Sequence, residues 1–223
     1  MAVTRSAASA PAARADLACA YRSCDIVVEP RQVLLGQLAH ALLEALGAEG
    51  DFAVLSEVYA ALPGTLFSAL RETEDLNGSI ATALADEVIT YVLAAGPNYG
   101  SGYALAMCSL MERQWKHAAC FHAGEFLHGA CEMLTPQQAA VLLLGEDATR
   151  PIAERARDFL REHTAKAHCI DSRELSLPGV PGYLRGEFAP IALTSVASRL
   201  ARHLEAVREH TVVGHRYMVK PRC

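Results

Sequence analysis

Apolar runs alternate with helical patterns over the second half of the chain, and this alternation constrains the fold more than any other feature. The apolar runs cover residues 88–95, 118–121, 139–144 and 167–170. Apolar residues at helical spacing lie between them, at residues 103–116, 123–129 and 151–164. Strands joined by helical crossovers form parallel sheets that are covered on both faces. The sequence therefore predicts an α/β fold with a parallel sheet of about four to five strands and helices on both faces.

Helical patterns precede this α/β region. Apolar residues recur at helical spacing over residues 31–46, and Gly47 is a suitable helix end. A second amphipathic pattern runs from residue 52 to Pro63, and a further one follows it. A long apolar pattern also covers residues 188–209. We interpret residues 30–86 as a helical linker, 87–209 as the α/β domain and 210–223 as a tail.

Composition excludes several classes of protein. The 223 residues have a formal net charge of -5, which disfavours a nucleic-acid-binding surface. Seven cysteines form no CxxC pair, so the sequence indicates neither a zinc ribbon nor a disulfide framework, and the reducing cytoplasm is the expected compartment. No uninterrupted apolar run approaches the roughly 18 residues typical of a membrane span. We expect a cytoplasmic globular protein with no nucleic-acid or membrane partner.

The first 23 residues have two interpretations. They are rich in Ala, Ser and Arg and contain a single acid, Asp16, as an organellar transit peptide does. The alternative is folded chain, with short strands at residues 2–4 and 25–29 and a short helix at 12–20.

A glycine-rich turn, GPNYGSG, follows the first apolar run. Such a turn between a strand and a helix exposes backbone N–H groups that suit a phosphate, and ligands of parallel sheets bind outside the carboxyl ends of the strands. Gly96, Asn98 and Ser101 are the candidate ligand contacts here. The spacing matches neither GxGxxG nor a P-loop, so a tight structural turn is the alternative.

Glu112 lies in the helical pattern that follows this turn. Its neighbours at helical spacing, Cys108 and Trp115, are apolar, and a partly desolvated carboxylate is a suitable general base. The alternative is a surface glutamate that pairs with Arg113 or Lys116.

A polar cluster, His122-x-x-Glu125-x-x-His128, follows the second apolar run. Spacing of i, i+3 and i+6 spreads three side chains over about 120° of a helix, which is a poor arrangement for a metal. We therefore expect no metal site. In the tail, Lys220 follows Arg216 and Tyr217, and either folds over a site or lies in solvent.

Taken together, these motifs resemble a known family. The glycine turn, a helix with LMExQW, the HxGEFxHG segment, Thr149-Arg150-Pro151 and the ending RYMVK are similar to the second half of double SIS (sugar isomerase) proteins. The resemblance covers roughly residues 25–220. The similar proteins are the fructosamine-6-phosphate deglycases and, more distantly, the isomerase domain of glucosamine-6-phosphate synthase. It implies the flavodoxin-like, three-layer SIS fold.

The resemblance implies an activity and its residues. Glu112 would be the general base that moves a proton between sugar carbons C1 and C2, and His128 the acid. The histidine can reach the neighbouring subunit in this family, which implies a homodimer. Lys220 would lie near the substrate and Glu125, a further candidate substrate contact, would orient the loop. Gly96, Asn98 and Ser101 remain the candidate contacts of the glycine turn. The reaction would convert a 6-phosphofructosamine to glucose 6-phosphate and a free amine, with no metal or organic cofactor.

One family element is missing from the sequence. The SxSGxT loop that clamps the sugar phosphate in the upstream SIS half does not occur, and residues 1–29 resemble the end of that half. The sequence thus leads us to expect an N-terminally truncated deglycase or aldose–ketose isomerase. The alternative function is a catalytically inactive module that binds a carbohydrate derivative or dimerises.

Overall fold

The computed structural model describes residues 1–21, 28–211 and 217, and it divides into two compact units, Met1–Gly64 and Thr65–Cys223. The boundary between the units lies inside a helix. The domain limits inferred from the sequence stay a prediction.

The first unit contains a small parallel sheet and two helical segments. Strands β1 (Ala2–Thr4) and β2 (Ala18–Ala20) pair in parallel, with helix α1 (Ala10–Ala13) between them. Residues 18–20, which one interpretation assigned to a helix, therefore form a strand. The strand predicted at 25–29 falls largely on residues outside the described part, and Val28 begins helix α2 (Val28–Ala45).

Helix α3 (Phe52–Glu72) begins in this unit and packs against α2 through a close contact. The Tyr59 hydroxyl occupies the space that a Cβ at Gly36 would need. The same hydroxyl lies 3.0 Å from Nδ1 of His40. Glycine at position 36 is thus explained by the approach of a tyrosine ring.

The second unit is built on a four-stranded sheet that follows helix α4 (Glu74–Leu84). Its strands are β3 (Ile89–Ala94), β4 (His117–His122), β5 (Ala139–Leu144) and β6 (Ala167–Asp171). They are parallel, in the order β4-β3-β5-β6. This topology confirms the predicted parallel α/β sheet.

Helical segments connect the strands. The α-helices are α5 (Tyr99–Tyr103), α6 (Ala123–Phe126), α7 (Arg150–His163) and α8 (Arg185–Arg208). Short 3₁₀ turns lie at Gly96–Asn98, Ala130–Met133, Ser172–Glu174 and Gly182–Leu184. Residues Ala104–Arg113 continue α5 with π-helical bonding, and we call them the π-segment.

Two apolar cores cover the two faces of the sheet. Val92, Val141 and Ile170 face a core shared with α4, the π-segment and α8. Leu93, Leu142 and Leu144 face the opposite core, to which α6 and α7 contribute. Alternate residues of the strands therefore enter alternate cores, as the period of a strand requires, and the three-layer prediction is confirmed.

Helix α3 is the one helix among the described residues that is long and apolar enough to cross a membrane, judged by length and composition only. A core helix of a soluble protein passes the same test, so a single helix of this kind is weak evidence. The sequence shows no uninterrupted run because Glu57 and the Pro63-Gly64 pair lie inside it.

Candidate functional site

The turn after β3 is bonded to the turn after β5 at the carboxyl edge of the sheet. Asn98, 1% exposed, donates from Nδ2 to Oδ2 of Asp147 at 2.9 Å. The other oxygen of Asp147 accepts from the Thr149 N–H at 2.8 Å and from the Thr149 hydroxyl. Gly96 has a φ of 52°, and a Cβ there would overlap the Thr149 hydroxyl. Glycine is thus required by both conformation and space.

This bonding changes which ligand the turn suits. The carboxylate of Asp147 lies against the glycine turn, and a phosphate beside it would experience charge repulsion. Hydroxyl or ammonium groups of a ligand fit the same surroundings better. Sequence reasoning did not single out Asp147, whose one signal was its place shortly after the apolar run at residues 139–144.

Ser101 lies inside the protein, away from the surface of the turn. It is 1% exposed, and its hydroxyl lies 2.7 Å from that of Thr194 and 3.3 Å from the Pro190 carbonyl oxygen. Both partners belong to α8. The structure therefore places this side chain between α5 and α8, and does not direct it to the edge where Gly96 lies.

The turn after β4 brings His122 against the glycine turn. Nδ1 of His122 accepts from the Gly124 N–H at 3.3 Å and caps α6, and Nε2 lies 3.4 Å from the Gly96 nitrogen. A neutral imidazole can accept at only one of these nitrogens. The ring packs against that of Tyr99 at a centroid distance of 5.9 Å. His122 therefore links the two turns and fills the role of a structural histidine.

Glu125 and His128 are exposed on the same turn, and the His128 N–H donates to the Glu125 carbonyl oxygen at 2.9 Å. They remain available to a ligand at the carboxyl edge. Among the described residues, no group of three or more His, Cys, Asp and Glu side chains could hold a metal ion.

An ion pair joins the turns after β5 and β6. Arg150, 6% exposed, donates to both carboxylate oxygens of Asp171 at 2.8 and 2.6 Å, and to the Gly145 carbonyl oxygen at 2.7 Å. Burial would raise the pKa of Asp171, but the hydrogen bonds from Arg150 outweigh it and the pKa lies below its ordinary value. Hydrogen bonds thus join all four turns at the carboxyl edge of the sheet.

Tyr99 and Cys120 form a half-buried pair beneath this edge. Burial raises the pKa of the Cys120 thiol to about 11 and also raises the pKa of the Tyr99 phenol. Both groups are therefore neutral at physiological pH. Tyr99 stands in the glycine turn itself, and its place there was the only available sequence signal.

Glu112 lies in the last turn of the π-segment and is half-buried. Burial raises the pKa of the Cys108 thiol, and the Glu112 carboxylate raises it further. The carboxylate therefore lies on the side of the helix that Cys108 occupies, as helical spacing predicted. π-helical segments are rare and occur often at functional sites.

The end of the π-segment lies at the amino edge of the sheet. Lys116, 7% exposed, donates from Nζ to the carbonyl oxygens of Ala85 and Glu87, which precede β3. Its N–H donates to the Leu110 carbonyl oxygen at 2.9 Å. Glu112 thus stands close to the start of β4.

Glu112 and His128 therefore stand at opposite ends of β4, which has six residues and is roughly 20 Å long. The structure places His128 with Gly96, Asn98 and Glu125, but it does not bring Glu112 to that edge. Lys220 lies outside the described residues. His210, near the end of the described chain, lies at the amino edge, where its carbonyl oxygen accepts a hydrogen bond from Gln114.

Comparison with known proteins gives the same fold and a class of relatives. No protein-family profile matches the chain. It is 33% identical over 187 residues to the fructosamine deglycase FrlB of Bacillus subtilis, a match that covers 84% of this chain and 57% of FrlB. It is 26% identical over 216 residues to fructoselysine 6-phosphate deglycase of Escherichia coli, covering 97% of this chain and 62% of that enzyme. The chain thus spans about three fifths of the length of these curated relatives.

A solved structure extends the comparison to three dimensions. A Bacillus subtilis protein described as a candidate phosphosugar isomerase superposes with a TM-score of 0.92 at 30% identity. The match covers 99% of this chain and 68% of that one. Fold, motifs and relatives agree with the resemblance that the sequence motifs showed. The chain belongs to the SIS family of phosphosugar isomerases, together with the fructosamine deglycases.

Proposed function

We propose that this chain supplies the acid and base of a deglycase or aldose–ketose isomerase that acts on 6-phosphofructosamines. The observation that supports this most is a half-buried carboxylate, Glu112, on a π-segment in a chain whose relatives are named fructosamine deglycases. A phosphorylated sugar with an amine substituent is the proposed substrate class. The five free cysteines among the described residues fit the reducing cytoplasm.

The proposed reaction consists of proton transfers followed by hydrolysis of an imine. Glu112 removes a proton from C1 of the open-chain fructosamine while the C2 carbonyl oxygen gains one, which gives an enaminol. A proton then adds to C2 and the nitrogen loses its proton, which gives an imine at C1. Water hydrolyses the imine to glucose 6-phosphate and the free amine. His128 donates the proton that opens the sugar ring. General acid–base groups are chemically sufficient for all of these steps.

The separation of the two groups requires two copies of the chain. Within one copy, Glu112 and His128 stand at opposite ends of β4, too far apart to contact one sugar. We propose that His128 of a second copy meets Glu112, so that each site is shared across a homodimer. Glu125 then orients the turn that presents His128, and Lys220 is a further proposed substrate contact.

The test is a coupled assay with glucose-6-phosphate dehydrogenase on fructosamine 6-phosphates. We expect turnover by a fusion of this chain with the part of Bacillus subtilis FrlB that it does not match. We call this fusion the combined protein. We expect Glu112→Gln to abolish it while the circular dichroism spectrum is kept. Full activity of the Gln variant would remove Glu112 as the base. No turnover by the combined protein would remove the deglycase assignment.

A second function is a binding module without catalysis. One observation favours it: the Asn98 amide and the Ser101 hydroxyl are hydrogen-bonded to Asp147 and Thr194 within the protein. Such a module would show a rise in melting temperature with glucose 6-phosphate but no turnover in the combined protein.

A further inference from the structure

The last residues of α8 hold the end of the π-segment through Gln114. Gln114 is fully buried at 0% exposure. Arg208 donates from Nη1 to the Gln114 carbonyl oxygen at 2.5 Å and to its Oε1 at 3.1 Å. Nε2 of Gln114 donates to the His210 carbonyl oxygen at 3.0 Å. Both ends of the amide group are thus bonded to a segment 94 or more residues away in sequence.

The backbone around Gln114 has an unusual shape that these bonds support. The Gln114 N–H donates to the Ser109 carbonyl oxygen at 3.1 Å, one residue further back than in an α-helix. Trp115 then adopts a φ of 51°, which is costly for a residue other than glycine. The indole packs edge-on against the His210 ring at 4.4 Å. A strained conformation persists only where its surroundings fix it, and here α8 does so.

We propose that Gln114, held by Arg208, is a positioning residue that fixes the Glu112 carboxylate beside Cys108. Gln114 is two residues beyond Glu112, so any unwinding of the π-segment at its end rotates that carboxylate. Glutamine suits the role because a neutral amide can accept from Arg208 and donate to His210 together. The inference rests on the proposed function only in treating Glu112 as the base.

The first experiment measures whether the contact exists. Trp115 is the single tryptophan of the chain, so its emission reports on this point alone. We expect Arg208→Ala to shift the emission of Trp115 to longer wavelength, and Arg208→Lys to shift it less. The matched control is Arg202→Ala, on the same helix, where Arg202 bonds Glu205. An unchanged spectrum in Arg208→Ala, or an equal shift in the control, would overturn the proposal.

The second experiment measures whether the contact acts on Glu112. The rate at which iodoacetamide alkylates Cys108, followed by peptide mass spectrometry over a pH series, reports the charge next to that thiol. We expect Glu112→Gln to lower the apparent pKa of Cys108, and Arg208→Ala to lower it as well. In the double variant, the apparent pKa of Cys108 should fall little further than in Glu112→Gln alone, because both changes take the Glu112 carboxylate away from Cys108.

Additive effects in the double variant would mean that Arg208→Ala only exposes Cys108, and would overturn the positioning role. Gln114→Leu provides a second variant that keeps Arg208 and removes the amide. In the combined protein we expect kcat to fall about tenfold with KM unchanged. If that protein shows no turnover while the emission and alkylation results hold, the proposed function fails and the positioning role stands.

Discussion

Glu112 and His128, the candidate base and acid, lie at opposite ends of strand β4 in one copy of the chain. The π-segment that contains Glu112 ends at the amino edge of the sheet, and the turn that contains His128 begins at the carboxyl edge. A six-residue strand separates them by roughly 20 Å. A sugar phosphate cannot contact both groups of one copy, so the proposed chemistry depends on two.

Mixing two inactive variants should therefore restore activity. In the combined protein, we expect Glu112→Gln and His128→Asn each to reduce kcat by about 10²–10⁴-fold. Random mixing of the two should recover about one quarter of the original activity, because half of the dimers then contain one intact shared site. The measurement is the coupled assay after co-refolding.

The control for this experiment mixes Glu112→Gln with the double variant of both positions, which leaves every site incomplete. No recovery in the first mixture would show that each site is built from one copy. Recovery in the control would show that sites without Glu112 are still active.

Asp171→Asn should destabilise the folded protein at the carboxyl edge of the sheet. It leaves the buried Arg150 guanidinium without its bidentate partner, and we expect a loss of roughly 3 kcal/mol in the free energy of unfolding. Urea denaturation at pH 7 measures it. Asp158→Asn is the matched control, since the Asp158 side chain is 65% exposed and pairs with Arg157 at the surface. A similar loss in both variants would contradict the role of the ion pair.

The same ion pair should make the free energy of unfolding depend on pH. The pKa of Asp171 is lower in the folded chain than the value of about 3.9 in an unfolded one, so the folded state binds fewer protons. Its stabilisation should be complete above about pH 4 and should be lost as the pH falls through the lower, folded-state pKa. Urea midpoints between pH 7 and pH 2 should fall less steeply in Asp171→Asn. An equal fall of the urea midpoint with pH in both proteins would contradict a contribution from Asp171.

Gly96→Ala should be destabilising where Gly100→Ala is not. The φ of Gly96 is 52° and a Cβ there would overlap Thr149, whereas a Cβ at Gly100 meets nothing within 4 Å. We expect a loss of about 1–3 kcal/mol for Gly96→Ala and a gain of about 0.5–1 kcal/mol for Gly100→Ala, which lies in α5. Thermal unfolding of both variants measures this, and equal melting temperatures would refute it.

Ser101→Ala separates a structural role from a substrate contact. The hydroxyl is bonded to Thr194 inside the protein, so its loss should lower the free energy of unfolding by about 1 kcal/mol. A substrate contact would instead raise KM in the combined protein. Ser79→Ala is the control, because the Ser79 hydroxyl bonds its own helix in an exposed position. An increase in KM without loss of stability would support the contact that the sequence predicted.

Several features of the fold followed from local pattern. The uninterrupted apolar runs of β3 and β5 predicted strands of a parallel sheet, because parallel strands buried on both faces have no polar side. The position of the glycine turn directly after the first strand predicted the carboxyl edge as the place of ligand contacts. The limits of α6 were less predictable, since a segment with helical spacing forms only one turn before Leu127.

The candidate site was predictable in its residue types but less so in its geometry. Glu112 beside Cys108 follows from spacing along one helix, which the sequence displays directly. The Gln114–Arg208 contact joins residues 94 positions apart, and the Asn98–Asp147 bond joins residues 49 apart. No periodic pattern encodes such pairs, because they form only when separate elements pack.

The sequence by itself determined the parallel sheet and its carboxyl edge, and through the family resemblance it indicated Glu112 and His128 as the candidate base and acid. Only the tertiary structure decided that these two groups face opposite edges, that Ser101 points into the protein and that α8 holds the π-segment. The reason is physical. Period and turn residues act over a few neighbours in the chain, whereas the direction and surroundings of a side chain depend on which distant elements pack against it.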